Sequence, residues 1–216
     1  MRQVRAVIFD MDGVIVDSEP RHERAFLEVV RELGYGEGLK LRFADYIGRS
    51  DQELWVDFVA RHKPAEPLEE LLARKRLRVV EIIRREQPVF EGLPELVEKL
   101  SARYALALAS GSERLVVEEV LKLRRLGSYF PVVVSSSDVQ CGKPAPDIFL
   151  RAAALLKMAP QSCCVVEDSK PGVAAGLAAG MQVIAITNTH RAKELRQATH
   201  VVRSYEEIER HLLGRR

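Results

Sequence analysis

Two carboxylates separated by one residue, Asp10 and Asp12, follow directly after the apolar run Val7–Phe9 near the start of the chain. The run has the character of a buried strand, so we expect the pair where this strand ends and the chain turns. Two carboxylates buried so close together are unfavourable unless a cation compensates their charge. The pair therefore predicts a divalent metal with a chemical task, although Asp-x-Asp-Gly is also a common turn sequence.

Three further polar clusters adjoin other apolar runs. Ser110–Ser112 follows the second run, Lys143 lies between the third and fourth runs, and the fourth run ends in Glu167–Ser169. In an open parallel sheet, ligands bind beyond the carboxyl ends of the strands, so we expect all these groups at one edge. Each cluster alone also fits an ordinary structural interpretation, namely a loop, a solvated lysine or a helix N-cap.

The residue types in these clusters fit phosphoryl transfer. Three acidic side chains suit a hard cation with oxygen ligands, most naturally Mg²⁺: Asp10, Asp12 and Asp168. An aspartate can attack phosphorus as a covalent nucleophile, and a metal neutralises phosphate charge. The Ser110 hydroxyl and the backbone N–H groups of Gly111 and Ser112 can hold phosphate oxygens, and Lys143 adds a compact positive charge.

The elements that must position these residues alternate between strand and helix. Strands are expected at Val4–Phe9, Ala105–Ser110, Val132–Ser135, Cys163–Glu167 and Val183–Ile186, with Val201-Val202 as a candidate sixth. Helical periodicity is expected over Leu93–Ser101, Glu113–Leu126, Asp147–Leu156 and Gly172–Ala179. Near-continuous apolar strands that alternate with helices predict an α/β fold with a doubly wound parallel sheet.

One interval breaks the alternation, because residues 18–85 show helical patterns only. Amphipathic stretches cover Pro20–Leu33, Gln52–Ala60 and Leu68–Ile83. The sequence therefore predicts an α/β catalytic core of residues 1–17 and 86–216 and a helical insertion of residues 18–85. Because the insertion begins shortly after Asp12, we expect it to lie above the carboxylate pair like a lid.

The bulk composition argues against several classes of partner. The 216 residues include 33 basic and 31 acidic ones, and a formal net charge of +2 gives no electrostatic case for nucleic acid or a membrane surface. The cysteines do not form a disulfide framework, and Cys163-Cys164 has the character of small buried hydrophobes. No signal peptide or membrane-length apolar run is evident, so we expect a cytoplasmic protein. We further expect a monomer, as the default state, and a small phosphorylated metabolite as the partner.

Taken together, the motifs resemble the haloacid dehalogenase (HAD) superfamily, in particular the branch of β-phosphoglucomutase and sugar-phosphate phosphatases. The matching segments are Phe9–Ser18, Ala109–Ser112, Gly142–Phe149 and Val165–Ser169. The resemblance extends over essentially the whole chain, with the insertion as the family's all-helical cap domain. It implies a Rossmann-like core and Mg²⁺-dependent chemistry through an aspartyl-phosphate.

The resemblance implies different tasks for the two aspartates. Asp10 would attack phosphorus and bind Mg²⁺. Asp12 would protonate the leaving group and then act as general base for the acceptor, while its backbone carbonyl would bind the metal. Because the dehalogenases and the phosphonate-cleaving branch lack an acid at this position, Asp12 favours phosphate-ester chemistry.

The other motifs would supply the rest of the site. Ser110 and Lys143 would hold the phosphoryl group. Asp168 would be a side-chain ligand of the metal. Glu167 would support either the metal site or Lys143.

Residues of the insertion bear on which reaction follows. His22 lies where mutase-like members place a cap histidine, and the run Arg74, Lys75 and Arg76 could supply charge for a second phosphate. The segment Ile47–Asp51 resembles the specificity loop, but its Arg49 comes earlier than the mutase arginine, whose place is near Asp51. The sequence therefore favours a phosphatase for a sugar phosphate. It leaves open a phosphosugar mutase and, in another class, a non-catalytic phospho-acceptor or phosphate-binding protein.

Overall fold

The computed structural model describes residues 3–36, 39, 41–46 and 51–214. Its strands are β1 (Ala6–Phe9), β2 (Ala105–Ala109), β3 (Val132–Val134), β4 (Cys163–Glu167), β5 (Gln182–Ile186) and β6 (His200–Val202). They form one parallel six-stranded sheet in the order β3-β2-β1-β4-β5-β6. The predicted α/β fold with a doubly wound, Rossmann-like parallel sheet is confirmed, and the candidate sixth strand is part of it.

The helices follow the predicted periodicity, with two departures. They are α1 (Glu19–Glu32), α2 (Asp51–His62), α3 (Leu68–Glu86), α4 (Leu93–Ser101), α5 (Arg114–Lys122), α6 (Asp147–Leu155), α7 (Lys170–Ala178) and α8 (Tyr205–Leu213). Helix α5 ends earlier than predicted because Arg124 and Arg125 have left-handed φ angles of 48° and 58°. Helix α8 is absent from the predicted set, although Ser204 and Glu207 form the Ser-x-x-Glu pattern of a helix start. Among the described residues, no helix is both long and apolar enough to cross a membrane.

The chain divides into two compact units, Met1–Asp17 with Val89–Arg216, and Ser18–Pro88. In the sheet unit, the central strands β1 and β4 are buried along their whole length. Helix α7 packs closely on the sheet at Gly176, where a Cβ would lie 2.7 Å from Val183 Cγ2. Burial in β4 raises the pKa of the Cys163 thiol to about 11 and that of Cys164 to about 12, so both act as apolar core residues.

The helical unit contains α1, α2 and α3 and has its own aromatic core. Phe26 on α1 contacts Trp55 on α2, with ring centroids 4.9 Å apart, and Trp55 contacts Phe58 at 5.3 Å. The buried face of α1 consists of Ala25, Phe26, Val29 and Val30. This apolar stripe recurs at the three- and four-residue spacing that places side chains on one face of a helix.

Candidate active site

The carboxyl edge of the sheet brings the predicted core residues together. Asp10 follows β1, Ser110 follows β2, and Glu167 ends β4. Because these strands are neighbours, their ends are adjacent, and the N–H of Asp10 donates to the carbonyl of Val166 at 2.9 Å. Asp10, Ser110, Glu167 and Asp168 are each at most 5% exposed. Polar groups buried in this way need partners, and the surrounding loops supply them.

Lys143 reaches this edge from the segment between β3 and α6 and forms two ion pairs. Its Nζ lies 2.7 Å from Asp10 Oδ1 and 2.6 Å from Glu167 Oε1. Burial alone would lower the pKa of this ammonium group, but Asp10 and Glu167 outweigh burial and raise the pKa above its usual value. Lys143 is therefore a cation at neutral pH, in contact with the carboxylate that the resemblance assigns as nucleophile.

Both carboxylate oxygens of Glu167 are engaged within the protein. Oε1 accepts from Lys143, and Oε2 accepts from the backbone N–H groups of Asp168 and Ser169 at 2.7 Å each and from the Ser169 hydroxyl at 2.9 Å. These bonds fix Lys143 and the loop that follows β4. The contacts therefore suit a supporting task for Glu167 better than direct metal binding, which the resemblance left as an alternative.

Gly172 in α7 provides the space that Glu167 occupies, because a Cβ at this position would lie 1.6 Å from Glu167 Oε1. We therefore expect Gly172→Ala to displace the Glu167 carboxylate and to lower the free energy of unfolding by about 1–3 kcal/mol, as overpacking does. Catalytic activity should fall as well, because Lys143 loses a fixed partner. Denaturant unfolding and initial-rate measurements on the same preparation test both effects.

Gly142→Ala is the matched control. A Cβ at Gly142 would meet no atom within 4 Å, and its φ is not left-handed. Both substitutions reduce the entropy of the unfolded chain, and Ala additionally favours the helix at Gly172, so a lower stability of the Gly172 variant reports the clash. If the two variants unfold at the same denaturant concentration, Glu167 is not held as tightly as its contacts indicate.

Among the described residues, three carboxylates lie close enough together to share a metal ion, each with an oxygen within 4.8 Å of the others: Asp10, Glu167 and Asp168. Burial raises the pKa of Asp10, and the charges of Glu167 and Asp12 add to the rise, while Lys143 opposes it. Burial, together with Glu167 and Asp10, likewise raises the pKa of Asp168. A divalent cation would compensate these crowded carboxylates, and an oxygen-only donor set suits Mg²⁺.

The carboxylate of Asp12 contacts the loop that follows β2. Its Oδ2 accepts from the Ser112 hydroxyl at 2.7 Å and from the Ser110 hydroxyl at 3.3 Å. The N–H of Ser112 in turn donates to Ser110 Oγ at 3.0 Å. The two predicted catalytic aspartates therefore have different surroundings, Asp10 beside a lysine and Asp12 beside hydroxyls predicted to hold phosphate.

Further residues that the sequence did not single out reach the same edge. The N–H and the hydroxyl of Ser136 both donate to the carbonyl of Ser112 at 3.1 Å. Asn188 Nδ2 donates to the carbonyl of Gly13 at 2.8 Å, and the Thr189 side chain bonds to Asp168. Asn188 and Thr189 follow β5 as Asp10 follows β1. Asp10 was identified because it follows the carboxyl end of a strand. The same criterion, applied to the fifth strand, would have found Asn188 and Thr189.

Three residues of the insertion, His22, Arg49 and Lys75, were predicted to bind substrate. Of these, His22 and Lys75 are in contact with each other, and Arg49 lies outside the described residues. The Nζ of Lys75 lies 2.6 Å from His22 Nδ1 and also donates to both carboxylate oxygens of Asp51. Although burial opposes the effect, Lys75 and His22 hold the pKa of Asp51 below its usual range. The charge of Lys75 is thus already paired inside the helical unit, where its side chain is fully buried.

Comparison with known proteins supports the interpretation of these motifs. The sequence pattern of the haloacid dehalogenase-like hydrolases matches residues 4–180. Hexitol phosphatase B of Escherichia coli is 33% identical over 189 residues, which cover 86% of this chain and 84% of the relative. Fructose-1-phosphate phosphatase YqaB of Escherichia coli is 32% identical over 180 residues, which cover 82% of this chain and 94% of the relative.

A solved structure agrees in fold. β-Phosphoglucomutase from Clostridium difficile superposes with a TM-score of 0.83 over 98% of this chain and 96% of that chain, at 22% identity. The motif residues, the converging strand ends and the relatives all lead to the same assignment. The chain belongs to the haloacid dehalogenase-like hydrolase family and is a hydrolytic enzyme of that family.

Proposed function

We propose that this enzyme is a Mg²⁺-dependent phosphatase that hydrolyses a small phosphorylated sugar or sugar alcohol through an aspartyl-phosphate on Asp10. The observation that carries the proposal is the 2.7 Å contact between Lys143 Nζ and Asp10 Oδ1 inside a buried acidic cluster. A carboxylate held in this way is a positioned nucleophile, and the lysine can stabilise charge on the phosphoryl oxygens.

The side chains divide the reaction into two steps. In the first, an oxygen of Asp10 bonds to phosphorus, the ester P–O bond breaks, and Asp12 gives its proton to the departing oxygen. In the second, water attacks phosphorus, Asp12 takes the proton of the water, and Asp10 leaves as a carboxylate. The contacts of Asp12 with Ser110 and Ser112 support this proposal, because these hydroxyls would bind the same phosphoryl group.

The acidic cluster supplies two of the proposed metal ligands, and the family resemblance implies the third. The side chains of Asp10 and Asp168 and the backbone carbonyl of Asp12 would hold Mg²⁺. The ion would neutralise phosphate charge and so permit an anionic nucleophile to approach an anionic substrate. Glu167 would act through Lys143 and through the loop at Asp168, since its oxygens already accept four hydrogen bonds.

Two observations favour hydrolysis over the mutase reaction. The relatives at 33% and 32% identity are named as phosphatases, of hexitol phosphates and fructose 1-phosphate respectively. A mutase must also hold a second phosphate, for which the sequence offers Arg74, Lys75 and Arg76. Because Lys75 is already paired with Asp51 and Arg74 with Glu70, both are weaker anchors for another anion. We therefore propose a substrate that carries a single phosphate.

A panel of phosphate esters tests this proposal. Purified protein with Mg²⁺ is given hexitol phosphates, fructose 1-phosphate and glucose 1-phosphate, and both inorganic phosphate and isomerised sugar phosphate are measured. We expect inorganic phosphate together with free sugar or polyol. Isomerised product without phosphate release would instead establish the mutase. A stable aspartyl-phosphate without any turnover would establish the phospho-acceptor.

Mg²⁺ is expected to stabilise the protein, and more strongly at pH 7.5 than at pH 5. Without metal, the raised pKa values of Asp10 and Asp168 mean that the folded protein keeps protons that the unfolded chain has lost. Stability therefore falls as pH rises above the ordinary carboxyl pKa. Mg²⁺ at about 100 times its dissociation constant should raise Tm by roughly 5–10 °C at pH 7.5, and protons should weaken this effect at pH 5. Thermal unfolding with and without Mg²⁺ measures both quantities.

Asp168→Asn is the control for this prediction. The variant lacks one crowded carboxylate, so in EDTA at pH 7.5 it should be at least as stable as the wild type. It should also lose most of the Tm increase that Mg²⁺ produces. An equal increase in both proteins would show that Asp168 does not bind the ion.

A further inference from the structure

The chain makes a tight turn directly after β1, and this turn carries Asp12. The carbonyl of Met11 accepts from the N–H groups of Val14, Ile15 and Val16 at 3.2, 2.7 and 3.1 Å. Gly13 has a left-handed φ of 75°, and a Cβ there would lie 1.9 Å from Asp168 Oδ2. The direction of the Asp12 side chain therefore depends on how the peptide groups of this turn are oriented.

Two side chains from distant parts of the sheet unit hold these peptide groups. The Tyr205 hydroxyl, at the start of α8, donates to the carbonyl of Val14 at 2.7 Å. Asn188 Nδ2, after β5, donates to the carbonyl of Gly13 at 2.8 Å and to the Tyr205 oxygen at 3.1 Å. The three bonds form a consistent chain, because the Tyr205 hydroxyl donates its single proton to Val14 and accepts from Asn188.

The Tyr205 bond is the better protected of the two carbonyl contacts. Tyr205 is 8% exposed, whereas Asn188 is exposed to solvent. The ring of Tyr205 also packs near Phe90, with centroids 6.2 Å apart. A buried hydrogen bond competes less with water, so Tyr205 should hold the turn more firmly than Asn188 does.

We propose that Tyr205 and Asn188 are positioning residues for Asp12, an inference that rests on the proposed phosphatase reaction. They hold two successive peptide groups of this turn, Gly13–Val14 and Val14–Ile15, and thereby the direction in which the Asp12 carboxyl group meets the leaving oxygen. A displacement of about 1 Å in a catalytic group can cost roughly 100-fold in rate. Neither residue touches the reacting atoms, so both act through the turn.

Tyr205→Phe tests the proposal with two substrates that differ in their need for an acid. The first substrate is the sugar phosphate of the panel that the wild-type enzyme hydrolyses fastest. Its leaving group is an alkyl oxygen, which must be protonated as the P–O bond breaks. The leaving group of p-nitrophenyl phosphate departs without a proton. We expect Tyr205→Phe to lower kcat/KM about 10-fold for the alkyl ester, as loss of one buried hydrogen bond allows, and less than about 2-fold for the aryl ester. Asn188→Ala should show the same selectivity with a smaller loss.

Tyr104→Phe is the matched control, because the Tyr104 hydroxyl also donates to a backbone carbonyl, that of Leu212 in α8. We expect it to leave both kcat/KM values unchanged. A loss in Tyr205→Phe that is equal for the two esters, or no loss at all, would overturn the proposal. Equal losses would reflect a smaller fraction of folded enzyme and not a misdirected acid.

Hydrogen exchange separates this proposal from the proposed function. If Tyr205 holds the turn, the amides of Ile15 and Val16 should exchange faster in Tyr205→Phe than in Tyr104→Phe. If these amides exchange faster but the wild-type protein hydrolyses neither ester, the proposed phosphatase function is wrong, whereas the proposal that Tyr205 fixes the turn still stands. Unchanged exchange at these amides would overturn the proposal that Tyr205 fixes the turn, whatever the activity of the variant.

Discussion

Replacement of Asp10 by Asn is expected to lower kcat for phosphate release by about 10⁴–10⁶-fold, as loss of a covalent nucleophile does in other enzymes. The amide has nearly the same shape as the carboxylate but cannot form an aspartyl-phosphate. Lys143 would keep Glu167 as a partner, at 2.6 Å, so the lysine should stay in place. The measurement is phosphate release from the fastest substrate of the panel, with Mg²⁺ present.

The fold of the Asp10 variant should survive the substitution. Burial already raises the pKa of Asp10, so removal of its charge should not lower Tm in EDTA at neutral pH. Asp57→Asn makes the same chemical change at a carboxylate of the helical unit that accepts from the Tyr46 hydroxyl, and it should keep near-native activity. Substantial turnover by a folded Asp10→Asn enzyme would exclude Asp10 as the nucleophile.

Replacement of Asp12 by Ala is expected to lower kcat for sugar phosphates by about 10²–10⁴-fold, the usual contribution of a general acid–base group. With p-nitrophenyl phosphate, formation of the aspartyl-phosphate should persist, because this leaving group needs no acid. Hydrolysis of the intermediate should become slow, because no base activates the water. We therefore expect a burst of nitrophenolate that matches the enzyme concentration, and a phosphoryl adduct on the intact protein by mass spectrometry.

Asp12→Asn distinguishes acid–base catalysis from a structural contribution of Asp12. The Asn oxygen can still accept from the hydroxyls of Ser110 and Ser112, which now donate to Asp12 Oδ2. If Asp12 transfers protons, the Asn and Ala variants should be similarly slow. Recovery of activity in the Asn variant would instead assign Asp12 the task of holding the serine loop.

The sequence by itself determined the parallel sheet and named several of the residues that the structure brings together at its carboxyl edge. Apolar runs and helical periodicity are local signals, so they located all six strands, although they extended α5 beyond Lys122 and omitted α8. In a parallel sheet, residues that follow neighbouring strands meet at one edge whatever the details of packing. For this reason Asp10 and Glu167 could be placed together from their positions after the first and fourth runs.

Only the tertiary structure decided how the side chains of the site are partnered. The bond from Tyr205 to Val14 joins residues 191 positions apart, and that from Asn188 to Gly13 joins residues 175 apart. Glu167 proved to be saturated by Lys143 and its own loop, and Lys75 proved to be paired with Asp51. Such contacts depend on strand register and on how helices pack on the sheet. Local periodicity contains no information on strand register or on helix packing. The sequence could therefore name the groups at this edge but not their partners.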